Sequence, residues 1–390
     1  MLDAYRTILT RRGTLLFSTT GLVARLPISM VGLGIVLLVS TVTGSYGAAG
    51  AVSAVFLIAN ALVSVLQGRL LDRLGQAPVL SVAGLVFTGA LSVLTASAWL
   101  EWPTLVTYAA ATVAGASLPA VGACVRARWS HVLDQPAQVQ TAYALESVID
   151  EAVFMLGPVL VTVLATSWHP VAGLAAAATA GLVGTLALAA QRSTQPVAGV
   201  HQPDTGTTRP PMPWAKVLVI ALVCVALGAL FGGAEVATVA FTEEHGVKRW
   251  SGFLLALWSS GSLIAGIVTG AVRWRQGAGA RLRLGAVGLA LAMAPLTFID
   301  SIAVLALVLF LGGFAIAPTL IATNSLVAET VPAARLVEGM SIVHTGIAAG
   351  VAPGAAITGL LVDAHGASTS YLVAAGAGLL AAVLAQAAPR

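Results

Sequence analysis

The sequence predicts an all-α membrane protein, and three observations carry that prediction. Of its 390 residues 58% are hydrophobic and only 9% are charged, where a soluble domain carries about a quarter charged residues. The apolar residues fall into runs long enough to cross a bilayer, which takes about 20 residues each. One long polar stretch, residues 191–213, divides those runs into two sets of six.

The runs can be taken in chain order. The N-terminus, "MLDAYRTILTRRGTLLF", has a basic start followed by apolar residues, as a signal peptide does. The apolar run continues past Val39 with no small-residue cleavage site, so a retained first span is expected. The first set of spans is placed at 14–43, 48–70, 78–99, 104–127, 138–167 and 170–190. The polar stretch "QRSTQPVAGVHQPDTGTTRPPMP" is rich in Pro, Gly, Thr and Gln and cannot bury a core, so it reads as a linker. The second set is placed at 214–242, 251–273, 281–300, 302–325, 337–362 and 367–388. The expected domains are a six-helix bundle over 1–190, the linker 191–213, and a second six-helix bundle over 214–390.

Charge and cysteine content exclude other classes. The net charge is +4, but the arginines stand singly or in pairs between apolar runs rather than in one patch, so no nucleic-acid partner is expected. Cys124 and Cys224 lie a hundred residues apart inside apolar runs, without the spacing of a metal or disulfide framework. There is no phosphate-binding loop, paired-histidine zinc motif or nucleophile elbow. An enzyme or ATP-driven pump, a cofactor and a metal are therefore not expected. Lysine is reduced to Lys216 and Lys248 while Ala, Gly, Val and Arg abound, a bias of high-GC bacteria.

Orientation follows from the basic residues, which are retained on the cytoplasmic side. With the N-terminus inside, all but three of the 19 Lys and Arg residues fall on that side. The exceptions are Lys248 and Arg249 outside and Arg25 within the first span. Both termini are thus placed in the cytoplasm, in a bacterial inner membrane. The two halves echo each other: Gly68, Arg73 and Gly75 recur as Gly270, Arg275 and Gly277. Pro119 and Pro158 have counterparts in Pro318 and Pro353, in the corresponding spans. Such a parallel repeat relates two bundles by a pseudo-two-fold axis along the membrane normal.

The stretch "GRLLDRLGQAPVL", between the second and third spans, resembles the signature loop of the major facilitator superfamily. Gly68, Asp72, Arg73 and Gly75 match at the family's spacing, while Gln76 and Ala77 stand where further basic residues are usual. The resemblance implies the major facilitator fold over essentially the whole chain. It also implies a cytoplasmic gate in which Asp72 and Arg73 latch the halves, with Arg126 and Arg128 the nearest partners on offer. In the fifth span, Gly157-Pro158 is similar to the core of the antiporter motif of the superfamily's exporters, though Val159 and Leu160 replace the usual trailing glycines. An arginine that such exporters carry in the fourth span is replaced by Ala111, so proton coupling must lie elsewhere.

A charge at the centre of a spanning helix costs about 2.5–3.5 kcal/mol on insertion scales, so each requires a partner or a cavity. Arg25 lies about 11 residues into the first span, and Asp150 and Glu151 lie at comparable depth in the fifth. Glu146, Asp150 and Gly157 share one helix face, and Glu151 points about 100° away from Asp150. Arg25 with Asp150 or Glu151 is therefore either a proton switch or a permanent ion pair. Glu146 and Glu235, the latter in the seventh span, are the remaining proton-coupling candidates, and Glu235 is also a cavity candidate, together with Asn60, Trp258, Asn324 and His344. The resulting expectation is a monomeric secondary transporter that exchanges protons for a small amphipathic compound, outward, by alternating access. The alternatives are a symporter or uniporter for uptake and, in another class, a non-transporting membrane receptor or scaffold.

Overall fold

A chain placed in hydrocarbon must bond its own N–H and C=O groups, and a helix does so within one segment. The computed structural model describes residues 2–196, 211–271, 276–332 and 335–388. Among these, the elements are α1 (Leu2–Leu9), α2 (Thr14–Thr43), α3 (Tyr46–Leu74), α4 (Gln76–Trp99), α5 (Thr104–Ser117) and α6 (Val121–Val132). Then come α7 (Pro136–Ser167), α8 (Ala172–Ala190), α9 (Trp214–Glu244), α10 (Ser251–Ala271) and α11 (Ala278–Met293). The chain finishes with α12 (Ile302–Gly313), α13 (Ile316–Thr330), α14 (Leu336–His365) and α15 (Ala367–Gln386). Twelve spans of membrane-crossing length and hydropathy result, with α5–α6 and α12–α13 forming one broken span each. Residues 197–210 of the expected linker, and Arg273 and Arg275, lie outside the described residues.

The two breaks were not expected, and each has a proline beside it. In the fourth span the helix stops at Ser117 and resumes at Val121, around Pro119, which has no N–H to offer a ladder. The exposed backbone groups are met by a buried side chain of α3. Gln67 donates Nε2 to Leu118 O at 3.3 Å and accepts Ala120 N–H at 2.6 Å through Oε1. In the tenth span the break falls at Phe314–Ala315, and Pro318 sits in the first turn of α13, where its missing donor is harmless. Pro27, Pro158 and Pro353 remain inside continuous helices.

By contacts the chain forms two compact units, residues 1–38 with 59–204 and residues 39–58 with 205–390. In the first, α4 packs on α5 and α8, and α7 on α8, α6 and α1. Its core includes Phe17, Leu80, Val125, Trp129 and Leu188, with the Phe17 and Trp129 rings edge to face at 4.7 Å. Arg128 is fully buried in this unit. It donates to Gln76 Oε1, Thr194 Oγ1 and the carbonyls of Leu188 and Gln191, and so holds the end of α8 to the start of α4.

In the second unit α9 is central, packed on α14 and α15. Small residues let the backbones touch: a Cβ at Gly228 or Gly232 would overlap carbonyls of α14, and one at Gly350 or Gly354 would overlap carbonyls of α9. The start of α3 is seated against the end of α14 in the same unit. Asp363 accepts from Tyr46 N at 2.7 Å, Gly47 N at 2.8 Å and Ser45 Oγ at 2.6 Å. Glu244, at the end of α9, accepts Ala367 N–H at 2.8 Å, at the start of α15. The Tyr46 hydroxyl donates to Glu243, which also pairs with Lys248 at 3.0 Å. One turn further along α3, Gly50 lies against Ala355 O, and Gly359 against Tyr46 O.

Candidate functional site

The first unit encloses a charge network made from three spans. Arg25, on α2 about 16 Å from its start, is 5% exposed. Its Nη2 pairs with Glu146 and its Nη1 with Asp150 Oδ1 at 2.6 Å, both on α7, while Nε donates to Gly21 O at 3.1 Å. Arg126, on α6, completes the set by pairing with Asp150 Oδ2 at 2.6 Å. Glu146 is fully buried, and its second oxygen accepts from Trp129 Nε1 at 2.8 Å and Ser18 Oγ at 3.2 Å. Two guanidinium groups thus face two carboxylates, and every carboxylate oxygen has a donor. That balance is the condition for keeping charges away from water.

Glycines make the room. Gly122 on α6 lies beside the Arg25 and Arg126 side chains, and Gly21 stands beside Val125. Where α7 crosses α2, a Cβ on Gly157 would overlap Ser29 Oγ and stand 2.8 Å from Ser29 Cβ. Ser29 Oγ donates to Val153 O at 2.9 Å at this crossing. The Gly157-Pro158 pair of the sequence reading therefore lies at a close approach of α7 to α2.

The network sorts the sequence candidates. Arg25 meets Asp150 as expected, but its second partner is Glu146, one turn away on the same face. Glu151 forms no salt bridge with Arg25 or Arg126. Arg126 and Arg128 do not serve Asp72. The first is committed to Asp150 and the second to Gln76 and the end of α8. Asp72 and Arg73 are both exposed and form no salt bridge with a described residue. Gly75 has φ +86°, a conformation that favours glycine, at the turn into α4. Among the described residues nothing lies within 4 Å of where a Cβ on Gly68 would stand. Gln76, standing where a basic residue is usual, is buried and donates to Cys124 O at 3.1 Å while accepting from Arg128.

Of the cavity candidates, Glu235 on α9 and Trp258 on α10 belong to the second unit; Phe231, one turn before Glu235 on α9, meets the Trp258 ring edge to face at 5.8 Å. Asn324 is half-buried on α13, and Asn60 is half-buried on α3 in the first unit. The side chain of His344, on α14, lies outside the described residues. Four polar residues that hold the architecture were missed from sequence: Gln67, Gln76, Tyr46 and Asp363. For the two glutamines an available signal was an amide inside or beside an apolar run.

Twelve spans among the described residues, with a partly buried, charge-balanced network linking three of them, define a polytopic helical membrane protein. The chain belongs to the Major Facilitator Superfamily, whose family profile matches residues 17–304 and 282–388. No curated relative matches in sequence. Among solved structures, the nucleoside transporter NupG aligns with TM-score 0.71 and 14% identity, over 96% of this chain and 98% of its own. A peptide transporter, POT, in complex with sulfate aligns with TM-score 0.73 and 15% identity, over 96% and 93%. The human organic anion transporter MFSD10 aligns with TM-score 0.66 and 18% identity, over 96% and 99%. At these identities the likeness is one of fold.

Proposed function

We propose that the chain is a proton-coupled secondary transporter that exports a small amphipathic organic compound by alternating access. It acts as a monomer in a bacterial inner membrane with both termini in the cytoplasm, as the distribution of basic residues supports. Two six-span bundles, 1–190 and 214–390, rock about the linker, and the loop of Gly68, Asp72, Arg73 and Gly75 serves as the cytoplasmic gate. Export is supported by Gly157-Pro158 at the α2–α7 crossing.

The observation that carries the coupling is the position of Asp150. It bridges Arg25 and Arg126, and its side chain is 31% exposed while that of Glu146 is sealed. Asp150 is thus the carboxylate of the pair that a proton can reach. Protonation removes its attraction for both arginines and frees Arg126, the more exposed of the two, to move with α6. Deprotonation restores the pair. Glu146 stays with Arg25 and Trp129 in either state and keeps α2 and α7 in register.

The test is Asp150→Asn in proteoliposomes. Counterflow should persist while transport driven by an imposed pH gradient is lost. Gradient-driven transport equal to that of the unaltered protein removes Asp150 as the coupling group. The balance of two cations against two anions favours a second reading, a uniporter with a permanent ion pair. Accumulation that ignores the gradient in the unaltered protein would select it.

A further inference from the structure

Glu235 is a carboxylate that the coupling scheme leaves unused, and its surroundings differ from those of Asp150. It lies on α9 about 13 Å before the helix end. From Gly232 to Thr242 every residue is buried except Glu235. Glu235 is therefore the accessible residue of this otherwise buried stretch of α9. No described residue forms a salt bridge with Glu235, and its oxygens are not among the sealed polar atoms. The basic residue nearest along the chain, Lys248, is held by Glu243, Ser40 and Thr41 beyond the helix end.

The neighbourhood of Glu235 along α9 is aromatic and backbone. Phe231 is one turn from Glu235 on the same face and packs against Trp258, which is 6% exposed. The Trp258 indole N–H has no acceptor among the described residues. On the other side Gly232 and Gly228 bring the α14 backbone into contact with α9. A carboxylate without a salt bridge to any described residue thus stands one turn from an aromatic pair whose indole N–H has no described acceptor.

A carboxylate within a spanning helix requires a counter-charge or water, and aromatic faces attract a positive charge. We propose that Glu235, Phe231 and Trp258 form a binding site for an organic cation, a protonated amine or quaternary onium, within the cavity used for transport. The carboxylate takes the charge and the rings take the apolar body. An anion would meet Glu235 unfavourably, and a neutral solute would leave it without a partner. This assignment rests on the transport reading above and specifies its substrate class.

The probe is radiolabelled tetraphenylphosphonium on the purified full-length protein in detergent. Binding is expected, with Glu235→Gln weakening it by about tenfold or more, as loss of a charge-assisted contact does. Glu235→Asp should keep binding within a few-fold, and neutral triphenylphosphine oxide should not compete. A monodisperse elution profile for each variant controls for folding. Dicyclohexylcarbodiimide should also label Glu235, and the onium should protect it from labelling. A group that carries only protons would be labelled without protection. Equal binding by Glu235→Gln, competition by the neutral analogue, absence of protection, or absence of onium binding each overturns the assignment. None of those results bears on Asp150, because gradient dependence is read separately in the proteoliposome assay.

Discussion

Replacing Arg25 with Met removes the hub of the buried network while keeping most of its volume. The side chain pairs with Glu146 and Asp150 and bonds Gly21 O. Asp150 retains Arg126 at 2.6 Å and its partial exposure. Glu146 keeps only the neutral donors Trp129 and Ser18, both on one oxygen, and its other oxygen is stranded in a site with no solvent access. Removing one member of a buried pair costs about 3–5 kcal/mol. At roughly 2–4 °C per kcal/mol for a unit of about this size, the melting midpoint should fall by roughly 6–20 °C. The cost arises from the orphaned charge, so Glu146→Gln added to Arg25→Met should restore a large part of it. Fluorescence-monitored unfolding of the four proteins, in one detergent at one scan rate, completes a double-mutant cycle. If the double variant melts as low as the sum of the two single losses, Glu146 is not the charged partner and the reasoning fails.

Other outcomes follow from the same geometry. Gly157→Ala inserts a methyl group into Ser29 and should lose about 1–3 kcal/mol by overpacking; Ser29→Ala in the same chain should recover part of the loss by melting. Gln67→Leu strips Leu118 O and Ala120 N of their partner at the break in the fourth span. At about 1–3 kcal/mol for each unmet buried group, it should destabilise by roughly 2–6 kcal/mol, whereas Gln67→Glu should retain the acceptor role toward Ala120 N. Arg128→Lys keeps the charge but loses the forked donors that reach α4 and the end of α8 together, and thermal stability should drop sharply. Asp72→Asn, at an exposed position with no salt bridge to a described residue, should change the stability by no more than about 0.5 kcal/mol, read by thermal unfolding. If Asp72 gates, the same change should alter the transport rate.

Spans were legible because each is a long apolar run bounded by polar or turn residues, a pattern that needs no tertiary knowledge. The first span, 14–43, coincides with Thr14–Thr43, and the seventh, 214–242, differs from Trp214–Glu244 by two residues. Breaks within spans were hidden because hydropathy registers apolarity and not helical continuity. Pro119 was visible, but its effect depended on Gln67 from another helix. The face of α7 that carries Glu146 and Asp150 was legible from helical spacing, as was the turn of Glu151 away from it. That Arg126 would pair with Asp150, and Arg128 with Gln76 and the end of α8, depended on how α6 lies against its neighbours. Near-uniform apolarity leaves helix rotation unmarked in sequence. The aromatic pair near Glu235 was obscure for the same reason: Phe231 looks like any core aromatic until Trp258 is seen beside it.

The seat of α3 on Asp363 has a consequence for motion. The three leading amides of that helix are met by Ser45, through its bond from Ala48 N, and by Asp363 on another span. Such a joint is polar on both sides, so when it parts, water can occupy both halves and nothing is stranded. The glycine seam one turn deeper offers water no comparable foothold, because closely fitted backbone and methyl groups have little to bond to. Wetting of this region should therefore begin at the carboxylate and stop at Gly50, a boundary that hydrogen exchange along α3 would trace residue by residue.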